Sequence, residues 1–279
     1  MPVANLSIQG VDVLVDGVGP DTIVMVHGWP DTCRLWDGTV DALKARYRCV
    51  RFTLPGFDLA GPARAMSLAQ MTELLRAIAD AVSPGRPVTL LLHDWGCVFG
   101  YEFAARHASC VARIVAVDIG DHNRSAYRRS LSAKAKWQVF AYQFWLALAW
   151  KFGGALGDRM TRQMARAMRC RADPALIGWQ MNYPDAMQWF GSAGGFRGAQ
   201  PVDPHCPVLY LYGTRKPFMF QSQEWLDQLA ARPGSAARAF HCGHWVMVNQ
   251  PAEFYQCIDN WLAAQPVALQ APCLPALQP

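Results

Sequence analysis

The stretch LLHDWGCVFG, residues 91–100, runs from an apolar β-rich segment through a short turn into a helical pattern, and it sets Asp94 at the bend. In an open α/β sheet, a residue at the carboxyl end of a strand projects over the edge where ligands bind. An aspartate there has two readings. It can cap the helix that follows, or it can act as a nucleophile that is already an anion at neutral pH, since a free aspartyl group has a pKa of about 3.9.

Working outward, β-rich runs recur at residues 11–15, 22–26, 49–53, 88–93, 113–118, 208–212 and 238–241. Helical patterns lie between several of them, at residues 35–46, 68–82, 96–107, 223–231 and 252–264. Strands alternating with helices of this length imply parallel crossovers and a sheet covered on both faces. The alternation stops over residues 121–204, where the chain is rich in Trp, Met and Arg and reads as helical throughout. The expected organisation is an α/β core over residues 1–120 and 205–265. A helical cap, residues 121–204, is inserted after the sixth strand of the series, and a flexible tail spans residues 266–279.

Composition limits the function classes. With 52% hydrophobic and 17% charged residues, the chain is globular and not disordered. A net charge of +5 with scattered Lys and Arg gives no basic patch, so nucleic acid is not an expected partner. Nine cysteines, an odd number without CxxC pairs or Cys/His spacing, predict reduced thiols and a cytoplasmic location, with no metal site and no cofactor. The N-terminal MPVANLSIQG lacks the basic and apolar regions of a cleaved signal. WQVFAYQFWLALAW, residues 137–150, is uncharged over 14 residues. That is short of the roughly 20 needed to span a bilayer. It is expected to be a buried or pocket-lining helix, with contact to a membrane surface as the less favoured alternative. The oligomeric state is not encoded in any pattern.

Two further motifs sit at strand ends: HGWPD, residues 27–31, and GHW, residues 243–245. An upstream HG, a nucleophile on a strand–turn–helix unit and a late histidine follow one another as in the α/β-hydrolase fold. HGWPD, HDWG and GHW together resemble the epoxide hydrolase and haloalkane dehalogenase branch of that superfamily, whose nucleophile is Asp, and LPGFDLAG at residues 54–61 resembles the loop after its fourth strand. The resemblance implies a mostly parallel eight-stranded sheet flanked by helices, with an inserted helical cap. It also implies Asp94 as nucleophile, His244 as base for the hydrolytic water, and an oxyanion hole from the backbone N–H groups of Trp29 and Trp95. His27 and His93 are read as scaffold.

Two positions depart from the family pattern. Leu92 stands where a small residue is usual before the nucleophile, while Gly96 fits after it. The loop YGTRKPF, residues 212–218, where epoxide hydrolases generally carry the acid that orients the histidine, contains no acid at all. Related dehalogenases place that acid after the strand preceding the cap, and AVDIGD, residues 116–121, offers Asp118 first and Asp121 second.

The leaving group divides the branch. Ring opening of an epoxide produces an alkoxide that benefits from a proton donor, and the family's epoxide hydrolases take two tyrosines from the cap. Tyr142 and Tyr183 are the candidates here, with Trp145 and the neighbouring Trp150, Trp179 and Trp189 as a lining for a small hydrophobic substrate. A halide needs only N–H donors, which the indoles of Trp29 and Trp95 would imitate. The expected activity is hydrolysis of a hydrophobic epoxide through an alkyl ester on Asp94. The alternatives are dehalogenation of a haloalkane or haloacid, and a ligand-binding protein on a hydrolase scaffold. An esterase is disfavoured because no GxSxG occurs.

Overall fold

The five residues of TIVMV form β3 (Thr22–Val26), and every one of them is buried, because both faces of the sheet are covered. Side chains alternate across a strand. Val24 and Val26 therefore join one apolar cluster with Leu90 and Leu92 of β5 (Val88–His93), whereas Ile23 and Met25 join a second cluster with Leu91. The computed structural model describes residues 4–265, and the expected tail at residues 266–279 lies outside the described residues.

The remaining strands are β1 (Ala4–Ile8), β2 (Val11–Asp16), β4 (Arg48–Phe52), β6 (Val111–Val117), β7 (Val208–Gly213) and β8 (Ala236–Phe240). They form one eight-stranded sheet in the order β1-β2-β4-β3-β5-β6-β7-β8. Pairing is parallel from β4 to β8 and antiparallel only at β1–β2 and β2–β4. β1 has no counterpart among the expected strands. It is a half-exposed edge strand whose pattern is carried by its partner, and it turns into β2 through Gln9 and Gly10, which have φ of 52° and 76°. Two successive positive φ values are the mark of a tight hairpin turn.

Helices α1 (Asp37–Leu43) and α10 (Pro251–Ala264) cover one face, and α2 (Leu68–Val82) and α3 (Trp95–Arg106) the other. α2 begins with a complete capping box between Ser67 and Gln70. α8 (Gln223–Ala231) and the short α9 (Val246–Asn249) follow β7 and β8.

Between β6 and β7 lie α4 (Ser125–Ser130), α5 (Ala133–Phe152), α6 (Gly154–Ala167) and α7 (Tyr183–Phe190), with no strand among the described residues. α5 packs against α6 and α7, and Val139, Tyr142 and Leu146 on it line a cavity. Its Trp137, by contrast, is 66% exposed. Among the described residues no helix is long and apolar enough to cross a membrane. Cys33, Cys49, Cys97, Cys170, Cys206, Cys242 and Cys257 are free thiols.

Candidate active site

The site is built on the turn from β5 into α3. Asp94 there has φ 53° and ψ −124°, a left-handed backbone that a non-glycine residue adopts at a cost of about 1–3 kcal/mol. Its side chain does not accept from the second or third N–H of α3, as a helix cap would. Oδ1 instead accepts a hydrogen bond from the Trp29 backbone N–H at 2.7 Å, and Oδ2 lies 3.3 Å from His244 Nε2. The Trp95 backbone N–H also bonds this carboxylate. Gly28 makes the arrangement possible: a Cβ there would fall 2.4 Å from both Asp94 Oδ1 and Trp95 N. Gly96 has the same kind of role, since a Cβ would sit 2.2 Å from the Val26 carbonyl oxygen and keep α3 from the sheet.

The departure at Leu92 has a structural partner. A Cβ on Gly100 would meet Leu92 Cδ2 at 2.4 Å, so the missing side chain on α3 holds the large one on β5.

His244 follows β8 and points back at the turn. Its Nδ1 bonds Asp118 Oδ2. Asp118 is fully buried at the end of β6, with φ 72°, and its other oxygen accepts from Gly213 N–H at 3.0 Å and Lys216 Nζ at 2.5 Å. Asp121 does not reach the imidazole; its two oxygens bond the Ser222 N–H and hydroxyl. Of the two acids proposed from AVDIGD, Asp118 meets the histidine and Asp121 anchors the loop before α8.

Charges follow from these contacts. Burial pushes the His244 imidazole down, but Asp118 and then Asp94 outweigh it and lift its pKa to about 9. Burial pushes the Asp118 carboxyl up, and Lys216 and His244 reverse this, leaving it below the usual carboxylate range. Asp94 is likewise held low, as His244 and His93 overcome its burial. The resting arrangement is thus an imidazolium between two carboxylates.

Scaffold histidines support the loops. His27 Nδ1 donates to the Gly28 carbonyl at 3.0 Å and Nε2 accepts the Leu54 N–H at 2.9 Å, tying HGWPD to LPGFDLAG. Burial drives its pKa down to about 4, which keeps it neutral. His93 packs against His244 at 4.5 Å between ring centroids, and burial with the His244 charge lowers it to about 3.

Asp94 and His244 open onto a cavity of about 1190 Å³ between the sheet edge and the cap, walled by Tyr142, Asp185, Trp189 and Phe220 among others.

Comparison with known proteins agrees with this architecture. The "Alpha/beta hydrolase family" matches residues 23–256. The chain belongs to this family. Epoxide hydrolase 2 of Caenorhabditis elegans is 22% identical over 262 residues, 83% of this chain and 70% of that protein. A haloalkane dehalogenase of Mycolicibacterium smegmatis is 35% identical over 107 residues, 36% of this chain and 34% of that one. The "Probable oxidoreductase EphD" of Mycobacterium tuberculosis is 40% identical over 104 residues, which span 35% of this chain but only 18% of that longer protein. Among solved structures, an epoxide hydrolase of Bacillus megaterium in complex with an inhibitor superposes with a TM-score of 0.70 at 18% identity, covering 93% of this chain and 100% of that one. At that identity the likeness shows the fold.

In this α/β hydrolase the cap departs from expectation at two positions. Tyr183 does not reach the cavity. It is fully buried, between Phe57 and Phe99 at 5.9 and 6.5 Å, so its ring packs in the core. Trp145 also faces away, donating its indole N–H to the Met160 carbonyl of α6 at 3.1 Å. Of the other cap tryptophans, Trp189 lines the cavity and Trp150 and Trp179 do not. Tyr142 does line it, with its hydroxyl 3.3 Å from Gln143 Nε2.

Four residues of the hydrolase escaped the sequence reading. Lys216 was visible only as the absence of an acid in YGTRKPF, yet it supplies the cation on Asp118. Asp31, within HGWPD, accepts the Trp245 indole N–H at 2.8 Å and so braces the residue after His244. Asn182 joins core to cap, accepting from Trp29 Nε1 at 2.8 Å and donating to Thr161 at 2.7 Å. Asp185 had no signal beyond its place in MNYPD.

Proposed function

We propose that this hydrolase opens a hydrophobic epoxide by forming an alkyl ester on Asp94 and then hydrolysing it. The observation that carries the reading is the division of labour between the two oxygens of Asp94. Oδ1 sits against the Trp29 N–H, where an oxyanion would be held, while Oδ2 faces His244 and the cavity. Oδ2 is then the attacking atom on a ring carbon, and the ring C–O bond breaks as the new C–O bond forms.

Alkylation removes the charge of Asp94. His244 loses one of the two carboxylates that hold its proton, its pKa falls, it releases that proton to solvent, and the neutral imidazole can then accept a proton from water; the resting imidazolium is recovered by proton uptake once the Asp94 charge returns. The hydroxide adds to the Asp94 carbonyl carbon, the negative charge develops on Oδ1 against Trp29 and Trp95, and collapse expels the diol with the proton returned from His244. Asp118, held ionised by Lys216, keeps the imidazole in the required tautomer.

Kinship with a haloalkane dehalogenase supports a second reading, in which a halide leaves. The Trp29 indole argues against it: its N–H is already given to Asn182 and is not turned to the cavity as a halide donor.

The test is intact-mass analysis of His244→Gln after exposure to styrene oxide or to a matched alkyl bromide. The expected result is a gain of the full epoxide mass on the peptide that contains Asp94, without a comparable adduct from the bromide. An adduct from the bromide alone would transfer the protein to the second reading. Unmodified protein with both would leave a ligand-binding role.

A further inference from the structure

With Tyr183 turned into the core, the cavity holds one cap tyrosine and one cap group that no step has used, the carboxyl of Asp185. It lies in the first turn of α7, 1% exposed, and lines the same cavity as Asp94. Among the described residues neither of its oxygens has a hydrogen-bond partner of full geometry, and the donors that act on it weakly are its own backbone N–H and the Trp95 indole. An ionised carboxylate buried in this way would cost several kcal/mol, far more than the ~0.3–1 kcal/mol that a helix N-terminus returns. Burial first, and then the charge of Asp94, hold this carboxyl well above the usual carboxylate range.

The ionisable groups acting on Asp185 are Asp94 from the β5–α3 turn and Tyr142 from α5. The Tyr142 hydroxyl is itself pushed far above its ordinary value, by burial and then by Asp185 and Asp94. A phenol so raised gives up its proton less readily than a neutral carboxylic acid beside it. Both groups belong to the cap and line one cavity with Asp94, His244 and Lys216 of the core.

We propose that Asp185 donates the proton to the leaving oxygen as Asp94 opens the ring, with the Tyr142 hydroxyl holding that oxygen beside it. The inference rests on the epoxide reading above. As the Asp94–carbon bond forms and the ring C–O bond breaks, the electron pair left on oxygen takes the Asp185 proton, giving a hydroxyalkyl ester and an Asp185 carboxylate. In the second half, water adds to the ester and His244 shuttles one of its protons to the departing ester oxygen. The other water proton leaves the regenerated Asp94 carboxyl and restores Asp185. The sum is epoxide plus water giving diol.

The experiment compares the alkylation rate of Asp94 by styrene oxide, followed by mass in single turnover, in His244→Gln with and without Asp185→Asn. Asparagine keeps the shape but has no transferable proton. The expected loss is on the order of 10²–10⁴-fold in alkylation, the range for a general acid, with an unchanged melting temperature. Asp185→Glu is expected to restore part of the rate. Equal rates with and without Asp185 overturn the inference and leave the ester mechanism standing, whereas no adduct even in His244→Gln alone overturns both. If the Asn variant does not fold, the solvent deuterium isotope effect on alkylation in His244→Gln decides: a normal effect supports proton donation in ring opening, and unity overturns it.

Discussion

Asp31 shows how a single buried carboxyl sets a pH dependence that the catalytic residues do not. Burial, only partly offset by the Trp245 indole, raises its pKa to about 7. Between about pH 4 and pH 7 the unfolded chain gives up this proton while the folded protein keeps it. The Asp31 contribution to stability therefore falls as pH rises through that window and levels off above it, by up to about 1.4 kcal/mol per pH unit, while His27, His93 and His122, held neutral by burial, contribute a rise with pH up to about 6.5. Asp94 and Asp118 act with the sign opposite to Asp31, but their folded values lie below the ordinary one, so their contribution is complete before the window begins. Asp31→Asn retains an acceptor for Trp245 and is expected to remove this contribution, so that its urea stability gains on the parent's as pH rises from about 4 to 7; parallel curves in both proteins would refute the assignment. The residues of the site were legible in unequal measure. Asp94 and Asp118 could be read because each directly follows a strand that is a plain apolar run, whereas His244, four residues beyond the mostly exposed β8, was carried by the GHW motif. Lys216, Asn182 and Asp185 could not, because their meaning depends on a partner far away in the chain.

The β5–α3 unit carries its own compensation. Leu92 is large where the turn is tight, and Gly100 on α3 lacks the side chain that would collide with it. Gly100→Ala is expected to lose about 1–3 kcal/mol to overpacking, despite the ~1 kcal/mol that alanine contributes to a helix. Truncating Leu92 to Ala should then cost less in that background than in the parent, with a coupling of at least about 1 kcal/mol in a double-mutant cycle. Additive effects would mean the two positions do not share the space. Both residues stand in the sequence eight apart, yet their relation appears only once strand and helix are packed. Elements differed in the same way. Strands buried on both faces, such as β3 and β5, were plain as continuous apolar runs, whereas β1 takes its form from a hairpin partner. Residues 137–150 of α5 carry no charge on any face, so no polar stripe marked a direction, and packing on α6 and α7 turned Tyr142 to the cavity and Trp145 away from it.

For the molecule as a whole, the cap must stay seated on the core for the cavity to exclude water around Asp94. Trp29 reaches across through Asn182 to Thr161, and Asn182 and Thr161 are fully buried. Asn182→Leu would leave the Trp29 indole N–H unpaired, a loss of about 1–3 kcal/mol. Hydrogen exchange at that indole is expected to accelerate while the sheet amides stay protected; unchanged indole protection would show that the bond does not latch the cap. The central claim, a carboxylate that becomes an ester and is itself attacked by water, is tested most directly by a single turnover of styrene oxide in ¹⁸O-labelled water with enzyme in excess. The account predicts that the label enters the Asp94 carboxyl and that the diol of this first turnover is unlabelled. Label in the diol, with Asp94 unlabelled, would mean that water attacks the substrate directly.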